Sequence, residues 1–275
     1  MSDWVAAGPT LRVQIGCEFS LRSANPTSAV LQVAPHNDQG ARVQAEWWGG
    51  VVDHHQYIDA FTNRCERFAL PAGDFKITYR ADVEVSAAAD EQNWDAQETS
   101  IDYLPDEMLR WLMPSRFCQP DELGSEAWRL FGGTAPGWAR VQNICDFVHN
   151  HLQFMHGSSN PWTTAADAYR MGQGVCRDYA HLAITFCRAM NIPARYAFGY
   201  IPDIGVPVPV EAMDFCAWFE VFLGGRWYTF DARNNQPRVG RVLVGRGADA
   251  VDVAQVTSFG AIDLLYFTVQ ADQLL

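Results

Sequence analysis

The chain has 275 residues, 48% of them hydrophobic and 19% charged, enough for a substantial core in one large domain or two moderate ones. Its net charge of −12 argues against non-specific binding to nucleic acid or to an anionic membrane. No apolar run approaches the ~20 residues that a membrane span needs, and the start, Met1-Ser2-Asp3-Trp4, lacks the basic and apolar regions of a secretory signal, so a cytoplasmic location is expected.

Residues 10 to 85 read as β structure. The clearest strand is Phe75 to Val85, where Phe75, Ile77, Tyr79, Ala81, Val83 and Val85 alternate with Lys76, Thr78, Arg80, Asp82 and Glu84. Turn signals stand at Ala24-Asn25-Pro26-Thr27, Gly49-Gly50 and Pro71-Ala72-Gly73-Asp74, and a small antiparallel sandwich fits this region. Residues 86–103 are polar and acidic, like a linker. Pro105 to Phe131 predicts two short helices, broken at Pro114 and at Gln119-Pro120. Trp138, Val141, Cys145, Val148 and Leu152 then fall on one helical stripe, with Thr134-Ala135-Pro136 as its start. Thr163 or Thr164 can cap a further short helix through Tyr169.

A helix from Cys176 carries Tyr179, Leu182, Ala183, Phe186 and Met190 on one face and ends before Ile192-Pro193. Strands are expected over Ala194–Ile201, Phe215–Leu223, Trp227–Asp231 and Leu264–Val269. Helices first and strands later predict an α+β fold, with helices packed on an antiparallel sheet. Three regions follow: an N-terminal β domain over 1–90, a helical linker region over 91–134 and a core over 135–275.

Seven cysteines are scattered at 17, 65, 118, 145, 176, 187 and 216 with no CxxC pair, and most are expected to be buried small hydrophobes. Cys176 is different. Glycines precede it in Gly172-Gln173-Gly174-Val175-Cys176, which places its thiol at the positive end of a helix dipole, where the thiolate is favoured. Farther on, Leu223-Gly224-Gly225-Arg226 reads as a two-residue hairpin turn. That turn would pair Phe222 with Trp227, Glu220 with Thr229 and Trp218 with Asp231, placing Cys216, Trp218, Glu220, Thr229 and Asp231 on one mixed face. Phe215, Ala217, Phe219, Val221, Tyr228 and Phe230 would form the opposite, apolar face toward the core.

Three runs in this order resemble the bacterial transglutaminase-like superfamily: Gly174-Val175-Cys176-Arg177-Asp178-Tyr179-Ala180-His181-Leu182, Ile192-Pro193-Ala194-Arg195-Tyr196 with Gly199-Tyr200, and Ala217-Trp218-Phe219-Glu220-Val221 with Trp227-Tyr228-Thr229-Phe230-Asp231. The resemblance spans about residues 135–235 and implies a papain-like core preceded by a β domain. It also implies a Cys-His-Asp triad. Cys176 takes the nucleophile's place and Asp231 the aspartate's, while the histidine's place, usually His-Ala-Trp, is held by Cys216 in Cys216-Ala217-Trp218. A thiol with an ordinary pKa of about 8.5 does not take and return a proton near neutral pH as imidazole does.

The resemblance implies a cysteine-dependent amidohydrolase or acyltransferase that forms an acyl-enzyme at Cys176 on a peptide-like or small amide, or a thioester, without a cofactor. Trp162 and Trp218 are expected in the cleft walls. Two other readings stand beside it: a Cys176/Cys216 redox pair or, with Asp231, a zinc site, and a degenerate cleft kept for ligand binding. Of the seven histidines, His181 sits roughly 140° around the helix from Cys176 and should point elsewhere. His36, His54, His55, His149, His151 and His156 read as structural or solvated rather than as bases. Asp178 and Glu220 are carboxylates that could orient a thiol or a water, and Arg177 could raise the thiolate fraction of Cys176.

Overall fold

The computed structural model describes residues 8–36, 40–50, 54–207 and 212–274; the N-terminal run Met1-Ser2-Asp3-Trp4 and residues 51–53, which follow the Gly49-Gly50 turn, lie outside them. The N-terminal half is built from β1 (Thr10–Ser23), β2 (Thr27–Leu31), β3 (Ala41–Gly49), β4 (His54–Ile58), β5 (Arg64–Leu70) and β6 (Gly73–Ser86). Short 3-10 turns at Ile101–Tyr103 and Asp106–Leu112 lead to α1 (Gly124–Phe131), α2 (Trp138–His151), β7 (Gln153–Phe154), α3 (Ala165–Met171), β8 (Gln173–Gly174) and α4 (Cys176–Ala189). The chain finishes with β9 (Ala194–Tyr200), β10 (Cys216–Leu223), β11 (Arg226–Phe230), β12 (Val242–Gly247), β13 (Val256–Ser258) and β14 (Asp263–Leu274).

The alternation in Phe75–Val85 does what period two requires. Ile77, Tyr79, Ala81, Val83 and Val85 are buried, and β6 lies between β1 and β3 in the order β14-β1-β6-β3. A second sheet runs β13-β2-β5-β4. The two face each other across one apolar cluster, with Trp48 of β3 packed 5.7 Å from Phe68 of β5 and 4.6 Å from Tyr79 of β6. One expectation fails here. The strand around Leu264–Val269 is not part of the core over 135–275: β14 pairs antiparallel with β1 from Arg12↔Leu274 to Arg22↔Asp263, and β13 pairs with β2. An unpaired edge of backbone N–H and C=O groups on β1 and β2 is thereby satisfied by the C-terminus, a partner no local pattern announces.

The polar segment after β6 is held along the core. Trp138 N–H donates to the Ala96 carbonyl at 2.9 Å, Gly224 N–H to Gln97 at 2.8 Å, and Arg140 pairs with Glu98 at 2.7 Å. The core sheet has the order β11-β10-β9-β12, and α4 packs on its apolar face. Ala217, Phe219, Val221, Tyr228 and Phe230 join Leu182, Ala183 and Phe186 in the main cluster, as the parity argument requires. The hairpin register is also as read: Phe222 opposes Trp227 and Glu220 opposes Thr229. The ladder stops at Phe219↔Phe230, so Trp218 and Asp231 are not a pair.

Candidate active site

Cys176 is the first residue of α4, and the chain before it explains why. Gly172 closes α3 in the left-handed conformation with φ 65°, a position that favours glycine, and its N–H donates to Ala168. Gly174 must lack a side chain because a Cβ there would lie 2.7 Å from the Asp178 Cβ. Asp178 needs that space: its carboxylate accepts the Val175 N–H at 2.8 Å and caps the helix. Asp178 is therefore a capping residue, paired with Arg177 at 3.3 Å. Arg177 in turn donates to the Asn160 carbonyl at 2.8 Å.

A cavity of about 180 Å³ opens beside Cys176. Its walls include Phe154, His156, Asp203, Asp214, Cys216, Arg233 and Arg238. The Cys176 sulfur lies 3.8 Å from the Phe215 carbonyl, on the chain entering β10. Cys216 therefore reaches the cavity that Cys176 enters from the helix. The thiol does not follow the sequence expectation. The residue is half-buried, its sulfur is hemmed in by protein, and this burial pushes the Cys176 pKa up, against the lowering effect of Arg233 and of the Ala217 N–H. Helix position alone predicts a lowered thiol; confinement outweighs it. Cys216 is pushed up to about 12, by burial first and by Cys176 second. Arg233 donates toward the Cys216 sulfur at 3.7 Å and stacks 4.0 Å over Phe154.

Asp231 does not support an imidazole. Its backbone leaves the β11 ladder because its carboxylate accepts the N–H groups of Arg233 and Asn234 at 3.1 and 2.9 Å, turning the chain. Asn234 Nδ2 donates at 2.8 Å, and Arg241 pairs with the carboxylate at 2.9 Å. Burial alone would raise this carboxyl, but Arg241 and Asn234 hold it below its ordinary value. With its oxygens so engaged, Asp231 is not poised as a third zinc ligand. Among the described residues no group of three or more His, Cys, Asp or Glu is arranged to hold a metal ion, and Cys176, Cys216 and Asp231 do not form one.

Neither tryptophan lines this cavity. Trp218 is buried in a small cluster with Ala197, Ile201 and Leu243, its ring 4.9 Å from the Arg241 guanidinium. Trp162 is 71% exposed in the loop before α3. The other candidates resolve into structure. Glu220 is buried between Arg195 at 2.6 Å and Arg246 at 2.7 Å; burial would raise it, but the two guanidiniums hold it low. His181 accepts the Ala250 N–H at 3.1 Å, stacks on Phe117 and is lowered to about 3 by burial. His149 lies 2.9 Å from the Arg233 carbonyl through Nδ1 and so supports the turn after Asp231, rather than only facing a helix end. His151 contacts the Tyr169 carbonyl at 2.7 Å.

Sequence reasoning missed Arg233 and Asp214 and set His156 aside. Asp214 stands two residues before Cys216, so the strand argument could have reached it. His156 could not be found that way. It enters the cavity because β7 and β8 pair in parallel, Phe154 opposite Gly174, and that two-residue contact ties the loop after α2 to the turn before Cys176.

Residues 128–232 match the transglutaminase-like superfamily. A crystal structure described as a candidate cysteine protease from Cytophaga hutchinsonii superposes with a TM-score of 0.87 at 28% identity, covering 97% of this chain and 92% of that one. An uncharacterized protein of Mycobacterium leprae is 33% identical over 126 residues, 43% of this chain and 44% of that protein. One of Mycobacterium tuberculosis is 29% identical over 124 residues, 41% of this chain and 39% of that protein. The matched stretch thus spans less than half the length of these mycobacterial relatives.

Proposed function

We propose, from the premise that this chain is a transglutaminase-like superfamily member with a cysteine-protease-like core, that it is a cysteine-dependent acyl-transfer enzyme, an amidohydrolase or acyltransferase. The observation that carries this reading is the placement of Cys176: first residue of α4, sulfur beside a cavity, with the Ala217 N–H and the Arg233 guanidinium near it. Cys176 attacks the carbonyl carbon of an amide or thioester. The sulfur–carbon bond forms, the amine or thiol leaves, and water or a second amine then takes the acyl group. The backbone N–H groups of Cys176 and Arg177, the first two residues of α4, are suited to hold the developing oxyanion. Arg233 favours the thiolate electrostatically, a task that an imidazolium at the Cys216 position would otherwise share.

The test uses the full chain and an activated acyl donor such as a p-nitrophenyl ester, followed by intact-mass and peptide mapping. A stoichiometric acyl adduct on Cys176, absent from Cys176→Ala, supports the reading; its absence from the wild type sinks it. A second reading, a cleft retained for ligand binding, is favoured by Cys216 at the histidine's place and by the closed Asp231–Arg241 pair. Its mark is a peptide-like ligand bound equally by the wild type and Cys176→Ala, with no turnover. We also propose a cytoplasmic location, in which the seven free cysteines would stay reduced.

A further inference from the structure

The acyl-transfer reading leaves one chemical gap. A thiol must lose its proton to attack, and a leaving amine must gain one, yet the position that supplies imidazole in this superfamily holds Cys216. Most other histidines are engaged elsewhere: His149, His151 and His181 bind backbone groups, and His54 stacks 4.8 Å from Phe68 in the N-terminal sheets. His156 is the exception. It is exposed to solvent and is the one imidazole among the described residues that lines the Cys176 cavity.

Its position is set by structure rather than by a loose loop. The β7–β8 pairing is extended by Met155 N–H donating to Gly174 at 3.1 Å, and Ser158 Oγ donates to the Met155 carbonyl at 2.7 Å. The His156 ring packs edge-on against Phe154 at 5.0 Å and 84°. Asp214 approaches from the chain entering β10, anchored by the Phe215 N–H at 2.6 Å. The other charged groups on the cavity are Arg233 after β11, Arg238 held by Asp203 at 3.0 Å, and the two thiols. Although Asp214 is exposed as a residue, the cavity walls raise its carboxyl, while His156 and Arg233 draw it down. Asp214 lines the same cavity as His156 and Cys176, and its charge acts on the Cys176 thiol.

We infer that His156 is the general acid–base of this site and that Asp214 is the carboxylate that supports its charged form, a pair brought to the Cys176 cavity by the loop after β7 and the chain entering β10 in place of the usual strand-borne histidine. This rests on the acyl-enzyme reading above. The His156 imidazole takes the Cys176 thiol proton, directly or through one water in the cavity. The thiolate forms the sulfur–acyl bond as the bond to the leaving group breaks, and the imidazolium returns that proton to the departing amine. In the second half the imidazole takes a proton from the attacking water or amine and gives it to Cys176 as the thiol is released. Asp214, as carboxylate on the same cavity, stabilises the imidazolium electrostatically.

The experiment follows the rate of Cys176 acylation by a p-nitrophenyl ester across pH, by release of nitrophenolate and by intact mass. The wild type should show an inflection in the range where imidazole changes charge. His156→Asn should lose that inflection and slow by about 100-fold. Added imidazole should restore part of the rate to His156→Ala, which a structural role would not allow. Asp214→Asn should move the inflection to lower pH, and His55→Asn, on exposed β4, should leave the profile unchanged. Acylation of Cys176 in His156→Asn at the wild-type rate, with the same inflection and no rescue, overturns the inference alone. If the wild type forms no Cys176 adduct at any pH, the acyl-enzyme reading fails, and this inference fails with it.

Discussion

Glu220 and Cys216 stand on the same strand with side chains of the same parity, yet their surroundings are opposite. Around Glu220 every charge is answered: Arg195 and Arg246 close on one buried carboxylate, and the Arg195 guanidinium lies 4.0 Å over Trp227. Around Cys216 the strand meets a cavity, and among the described residues no carboxylate within 4 Å pairs with the Arg233 that faces it. The closed cluster ties β9, β10 and β12 into one sheet. The open one has a cavity, the Cys176 thiol and, on the same walls, an imidazole and carboxylates. One strand thus serves as scaffold at one end and as a site wall at the other.

The widest separation should come from cutting each end. Glu220→Ala removes the buried carboxylate on which two part-buried guanidiniums close and should lower stability by about 3 kcal/mol in denaturant unfolding. Cys176→Ala should cost about 1 kcal/mol or less while abolishing acyl-adduct formation. Equal stability losses in the two variants would erase the contrast.

A pH titration sharpens it next. His181 belongs to the closed interior, and its folded pKa of about 3 lies below the ordinary 6.5. The unfolded chain therefore binds a proton that the folded one refuses. Stability is fully present above pH 6.5 and falls by about 3 kcal/mol by pH 4. His181→Leu should flatten that limb; an unchanged slope would mean that other groups carry it. Glu220 and Asp231, both held low, add their own loss only as pH drops through their depressed folded values.

At the open end, Arg233→Leu should slow iodoacetamide labelling of Cys176 by roughly 3- to 10-fold near neutral pH, because the cation that favours the thiolate is gone. Arg246→Leu should leave that rate alone in whatever fraction stays folded. If labelling is indifferent to Arg233, the guanidinium does not act on the thiol. The smallest effect is expected from Trp162→Ala, within about 0.5 kcal/mol in stability, with acylation unaltered, because this side chain faces solvent and does not line the cavity.

Local rules reached far into this chain. Period two found β6, the glycine pair set the hairpin register, and the Gly-x-Gly approach placed Cys176 at the start of α4. Each of these depends on neighbours within about a dozen residues, where backbone sterics and side-chain parity decide the outcome. Parity even separated the apolar face of β10 from the mixed one, and Cys216 on the mixed face lines the Cys176 cavity.

The tertiary structure decided what those residues can do. The thiol of Cys176 is raised rather than lowered because the walls that confine it come from the approach to β10 and from the loop after α2. Asp231 was legible as a strand-end aspartate, but its partner Arg241 lies beyond the turn. His156 reached the cavity only through a two-residue parallel contact, and β14 left the expected core to complete the N-terminal sheet. Desolvation, charge pairing and edge pairing all depend on groups distant in sequence, so the chain by itself placed Cys176 at the start of its helix and set its scaffold, and only the packed structure assembled the surroundings of that thiol.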